Sequence, residues 1–106
     1  MPKFLIKASY NVDGARGLMK EGGTGRRKVV EGLVQKLGGK VEAFYFAYGE
    51  ADVYVITDMP DVTAGLAVSL AVNASGAVRL QTIPLITPEE IDAATKKAVA
   101  YRAPGA

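Results

Sequence analysis

Residues 44–56 read FYFAYGEADVYVI. Two runs of aromatic and β-branched residues flank Gly49-Glu50-Ala51-Asp52, the pattern of two strands joined by a short connection. The spacing predicts one strand over 41–48, a hairpin link at Gly49-Glu50-Ala51, and a second strand over 52–58. The rest of the chain is placed by what can precede and follow that hairpin.

Upstream, KFLIKASY (3–10) reads as a strand, with Lys3 and Lys7 as edge charges. A short helix follows, capped by Asn11 or Asp13 and stopped at Gly22-Gly23. Thr24 is a suitable cap for a longer helix from Arg26 to Leu37. There Val29, Val30, Leu33, Val34 and Leu37 recur at helical spacing, and Gly38-Gly39 closes the run. Downstream, Pro60 and Asp61 open a helix over Thr63–Asn73 built from small apolar residues, which suits close packing on a sheet. Val78–Ile86 reads as a fourth strand. Pro88-Glu89-Glu90 opens a last helix to about Val99, with Ile91, Ala94 and Ala98 on one side, and the tail YRAPGA is loosely held. The order β-α-β-β-α-β predicts one ferredoxin-like α+β domain over residues 1–106: an antiparallel sheet with helices on one face and an extra C-terminal helix.

Strand residues alternate between faces, so the hairpin also says which side is wet. Val53 and Val55 share one face, and Tyr54 and Ile56 the other. In the preceding strand Val41, Ala43, Tyr45 and Ala47 oppose Glu42, Phe44, Phe46 and Tyr48. Neither face is plainly polar, and two helices cover only one. The uncovered side would expose more aromatic surface than soluble monomers carry. A second copy of the chain on that side, with twofold symmetry, is the expected solution, giving a homodimer or higher oligomer.

Composition removes whole classes of chemistry. The 106 residues contain no Cys and no His. A thiolate nucleophile, a Ser-His-Asp triad, a Cys-ligated zinc or iron–sulfur site and a His-ligated haem are therefore excluded. No metal site and no cofactor are expected. The net charge of +2 is too small to point to nucleic acid, and the aromatic-basic spacing of RNA-binding sheets is absent. No stretch approaches the length of a membrane span and the N-terminus lacks a leader pattern, so a cytoplasmic location is expected. Any catalysis would rest on Tyr, Lys, Arg or Asp.

Each candidate binding residue has a plain structural role to set beside a functional one. Asp52, opening a strand beside Gly49, would accept backbone N–H groups and fix the turn, or would orient groups at a pocket mouth. Tyr45, Tyr48 and Tyr54, with Phe44 and Phe46, would fill core or interface, or line a pocket for a planar or apolar molecule. In EGGTGRRK (21–28), the glycines permit a sharp turn, while Arg26 and Arg27 beside a helix N-terminus would suit an anion. It is not a nucleotide-triphosphate loop, since the Lys-Ser/Thr ending and the preceding strand are missing. Lys7, near Ser9 and Tyr10, is a solvated strand charge or, pointing into a barrel, a holder for a carboxylate. Arg79 and Gln81 share a face and would add polar contacts or bridge two subunits.

Several segments together carry a family resemblance: YNVDGARGL (10–18), EGGTGRRKVVEGLVQKLGGKVEAFYFAYGEADVYVI (21–56) and VRLQTIPLIT (78–87). The chain resembles the GYD domain family, small bacterial and archaeal proteins named for a Gly-Tyr-Asp signature. Here Gly49-Glu50-Ala51-Asp52 has Ala where the naming Tyr commonly stands, so no role of that Tyr carries over. The resemblance implies a ferredoxin-like fold of the dimeric α+β-barrel type, and it implies no reaction. The leading expectation is a homo-oligomer that binds a small organic ligand between sheet and helices. The alternatives are a non-catalytic interaction or regulatory module using the sheet face and the Gly-Arg loop, and a cofactor-free isomerase or monooxygenase-like enzyme.

Overall fold

The structure, a computed structural model, describes residues 2–106. Its elements run β1 (Lys3–Tyr10), α1 (Val12–Glu21), α2 (Gly23–Lys36), β2 (Lys40–Phe46), β3 (Val53–Asp58), α3 (Val62–Ala74), β4 (Val78–Leu85) and α4 (Pro88–Thr95). The four strands form one antiparallel sheet in the order β2-β3-β1-β4. This is an α+β fold with the ferredoxin-like strand order, and α2 and α3 lie on the same face of the sheet.

The core lies between the sheet and those two helices. Phe4, Ile6 and Ala8 of β1, Val53 and Val55 of β3 and Val78 of β4 face Val34 of α2 and Ala64 and Val68 of α3. Alternation along the strands puts every second residue on this side, which is why β3 reads buried, intermediate, buried along its length. Gly65 lets α3 settle onto the ring of Phe4: a Cβ there would stand 2.8 Å from Phe4 Cε2. Asp61 caps α3 through its carboxylate, which accepts from the N–H of Ala64 at 2.7 Å.

Several boundaries differ from the sequence expectation, each for a local reason. β2 carries a bulge between Val41 and Ala43, so Val41 turns to the core beside Phe44 rather than sharing a side with Ala43 and Tyr45. The connection after β2 is longer than a three-residue link. It is closed by Ala47 N–H to the Asp52 carbonyl at 2.7 Å, and Tyr48 lies outside the strand, fully exposed. Thr24 does not cap α2: the helix starts at Gly23, directly after Gly22, whose φ of 83° turns the chain from α1 into α2. The Gly-Arg segment is therefore the first turn of a helix and not a loop.

α4 ends at Thr95 and not at Val99. None of its residues is buried, so no tertiary packing offsets the cost of prolonging it. All of its residues are exposed, and the chain measures 56 Å in its longest dimension.

The opposite sheet face is mixed rather than aromatic. Register places Leu5, Lys7 and Ser9, Tyr54 and Ile56, Ala43 and Tyr45, and Arg79, Gln81 and Ile83 on it. Phe44 and Phe46 lie on the helix side, where their rings meet edge to face at 5.3 Å. The aromatic residues of the hairpin are thus divided between two faces. At one end of the open face Lys3 pairs with Glu42 and lies 3.8 Å from Asp58, and these contacts raise the Lys3 ammonium above its ordinary pKa, the Glu42 hydrogen bond most.

Candidate functional site

Between α2, α3 and the sheet runs an apolar groove enclosing about 50 Å³. Its floor is made by Ile6, Ala8, Val53 and Val55, and its walls by Val29, Val30 and Leu33 of α2 with Val68 and Val72 of α3. Only two of its lining residues carry polar side chains, Tyr10 and Arg26. Tyr10 arrives there as the last residue of β1, and Arg26 as a first-turn residue of α2. The turn at Gly22 that joins the two helices is what brings Arg26 over the end of β1.

Asp52 works from below. Its carboxylate accepts the N–H of Tyr10 at 2.9 Å, and its own N–H donates to the carbonyl of Ala8 at 2.9 Å. It therefore fastens the start of β3 to the end of β1 and fixes the backbone from which Tyr10 projects. The neighbouring Ala51 is buried at 3 % exposure, a small packed residue beneath the connection.

Burial raises the Tyr10 phenol above its ordinary value of 10.0, and Arg26 opposes that shift through its charge and a hydrogen bond. Asp52 and Glu21 add to the rise. A raised folded-state value means the folded protein holds this proton more tightly than the unfolded chain. Tyr10 thus contributes stability that is intact below about pH 10 and is lost as pH climbs through the folded value. Phenolate absorbance is expected to show a late-ionising component that disappears in Tyr10→Phe. A titration indistinguishable between the two proteins would mean that Tyr10 is not shielded.

The expected site residues divide into four places. Tyr10, Arg26 and Asp52 meet at the groove mouth. Lys7, Tyr54 and Tyr45 form one cross-strand row on the open sheet face. Arg27 lies apart, 3.8 Å from Glu31 and beside Thr24, Phe44 and Phe46, and Tyr48 projects into solvent. The apolar walls on α2 and α3 were legible only as core stripes, since nothing in their sequence separates a wall from a filled core.

A second depression of about 340 Å³ opens on the other sheet face, lined by Lys7, Ser9, Glu50, Ala51, Arg79 and Gln81. Glu50 Oε1 stands 3.3 Å from Lys7 Nζ while its own side chain is 84 % exposed. The sequence places Arg79 and Gln81 on one side, but Glu50 could be found only by knowing how the connection folds back.

Among the described residues no three carboxylates gather in a way that could hold a metal ion, and no helix is long and apolar enough to cross a membrane. No curated protein matches the chain. The family model described as GYD domain matches residues 4–95, from the first core residue of β1 to the last residue of α4. With the match covering nearly the whole chain, this protein belongs to the GYD domain family.

Proposed function

We propose that this protein is a homodimeric binding module for a small amphipathic organic acid. The ligand's apolar end would enter the groove between α2 and α3, and its acidic group would meet Arg26 and the Tyr10 hydroxyl. The observation that carries this reading is the lining: apolar throughout except for one cation and one phenol. That is the distribution expected of a site whose polar groups fix orientation while the remaining contacts supply burial. Arg26 is engaged by the Tyr10 hydroxyl and lies 4.0 Å from Glu21, which leaves further guanidinium donors for an incoming carboxylate.

The enclosed volume of about 50 Å³ sets the scale. An apolar cavity that takes up benzene measures about 150 Å³. The groove therefore admits the tip of a slim chain, and the rest of the ligand lies along the mouth.

The homodimer rests on the open sheet face. Leu5, Ala43, Ile56, Tyr54 and Ile83 give that face an apolar centre. Isologous sheet-on-sheet pairing is the simplest way to cover it.

The test is native mass spectrometry of the purified protein, followed by calorimetric titration with a series of short aliphatic and aromatic acids. A co-purified or titrated acid should bind, and Arg26→Met should weaken it by about tenfold or more, as loss of a charge-assisted bond does. Filling the groove with Val72→Phe should weaken it independently. Binding that survives both substitutions would place the ligand elsewhere, and failure of every acid in the series would remove this reading. Sedimentation of a monomer at micromolar concentration would remove the dimer.

A further inference from the structure

The open sheet face carries a polar patch that the groove does not use. Register sets Lys7 directly opposite Gln81 and Ser9 directly opposite Arg79 on the adjacent strands β1 and β4. Directly opposed side chains have Cβ atoms about 5 Å apart, and diagonal neighbours about 7–8 Å. Lys7 and Arg79 occupy a diagonal of this square, with a hydroxyl and a primary amide on the other. Four donor-bearing side chains therefore border one depression of about 340 Å³, and Ala51 is the one lining residue without a polar side chain.

Charge in this depression is unbalanced. Two cations face one carboxylate, Glu50, and Arg79 has no ion-pair partner among the described residues. Glu50 reaches Lys7 from the connection between β2 and β3. Buried Ala51 and the Asp52 N–H bond to Ala8 anchor the end of that connection. A pair with one partner this exposed contributes little, so an incoming anion can replace it. The carboxylate of Glu50 already displays the chemistry that the cleft accepts.

We propose that the cleft formed by Lys7, Ser9, Arg79 and Gln81 is a binding site for a small oxyanion, a carboxylate or phosphate group, with Glu50 as its exchangeable internal counter-ion. Lys7 and Arg79 supply charge, Ser9 and Gln81 supply neutral donors, and the anion displaces Glu50 from Lys7. The site is separate from the α2–α3 groove, with the sheet between them. It also lies at one end of the face that a second copy would cover. An anion held there would neutralise cations that closure of the face would otherwise desolvate with a single carboxylate between them.

Titration of the ¹⁵N-labelled protein with inorganic phosphate and with succinate, at constant ionic strength set by sodium chloride, tests this directly. Saturable shifts are expected at the amides of Lys7, Ser9, Glu50, Arg79 and Gln81, and not at those of Tyr10 and Arg26. Arg79→Gln should weaken the apparent affinity about tenfold or more, whereas Glu50→Gln should tighten it several-fold by removing the competitor. Lys36→Gln, which removes the same charge in the last turn of α2 on the other side of the sheet, should leave the affinity within about twofold, which separates the site from a general effect of net charge. Saturation by succinate alone would assign a carboxylate source, and by phosphate alone a phosphoryl source. Absence of saturable shifts with both anions, or equal weakening by both variants, would overturn the proposal. A monomer in sedimentation would remove the dimer reading and leave this measurement unaffected.

Discussion

Phe4→Ala is expected to lower the unfolding free energy by about 3–5 kcal/mol, the usual cost of emptying a buried phenyl site. For a domain whose whole stability lies near 5–15 kcal/mol, this is enough to leave a large unfolded fraction at moderate temperature. Phe4 is 4 % exposed and stands in the middle of the sheet, since β1 is paired on both sides. Its ring lies against Gly65, where α3 comes closest to the sheet. The loss would not be repaired by collapse of α3, because Asp61 caps that helix and Val68 seats it on the core farther along.

Gly65→Ala attacks the same contact from the other side, forcing the Phe4 ring to move from a position 2.8 Å from the new Cβ, at a cost of about 1–3 kcal/mol. In a Phe4→Leu background the added methyl should be tolerated better, giving a coupling of about 0.5–3 kcal/mol in a double-mutant cycle. Chemical denaturation measures the unsubstituted protein and all four variants. A Phe4→Ala loss below about 1 kcal/mol would mean that this ring is not the centre of the core.

The same residues show where sequence reading succeeds and where it stops. Alternation in FYFAYGEADVYVI, with Gly38-Gly39 before it and Pro60-Asp61 after it, was sufficient for the hairpin and the flanking helices. Those signals are local: a period of two, a capping carboxylate, a glycine at φ 81° after α2. The bulge at Glu42 has no such signal, because the extra residue is a β-compatible Glu whose place is set by its pairing with Lys3, 39 positions away. That one residue moved Val41 to the other face and changed which side chains the open face presents. Likewise Arg26 and Tyr10 are 16 positions apart, and only the sharp turn at Gly22 brings them to one groove. Site geometry was hidden because it depends on long-range register and on a helix-to-helix angle, and no single stretch encodes either.

A methyl group at residue 14 should do damage out of proportion to its size. The N–H of Asn11 donates to the carbonyl of Ala77 at 3.1 Å, its amide group donates to the carbonyl of Gly76, and its side-chain oxygen accepts from Gly14 N–H at 2.9 Å. These bonds clasp the end of β1, the first turn of α1 and the approach to β4. Within the clasp a Cβ on Gly14 would stand 2.2 Å from the Ala77 carbonyl oxygen and 3.0 Å from Cδ1 of Tyr10. The first of these is backbone held by Asn11, so it cannot swing aside as a side-chain tip would. Gly14→Ala is therefore expected to cost about 1–3 kcal/mol or more, although alanine is the better helix former by about 1 kcal/mol in an open helix. Gly17→Ala, three residues on in the same helix with open space at its Cβ, should instead be neutral or slightly stabilising, which makes it the internal control. The Tyr10 ring is the second casualty. As it is pushed from its place its shielding falls, so the late phenolate component should move toward the ordinary range in Gly14→Ala and stay in place in Gly17→Ala. Equal stabilities for the two alanine variants would show that the clasp yields, and that the groove mouth is not held by it.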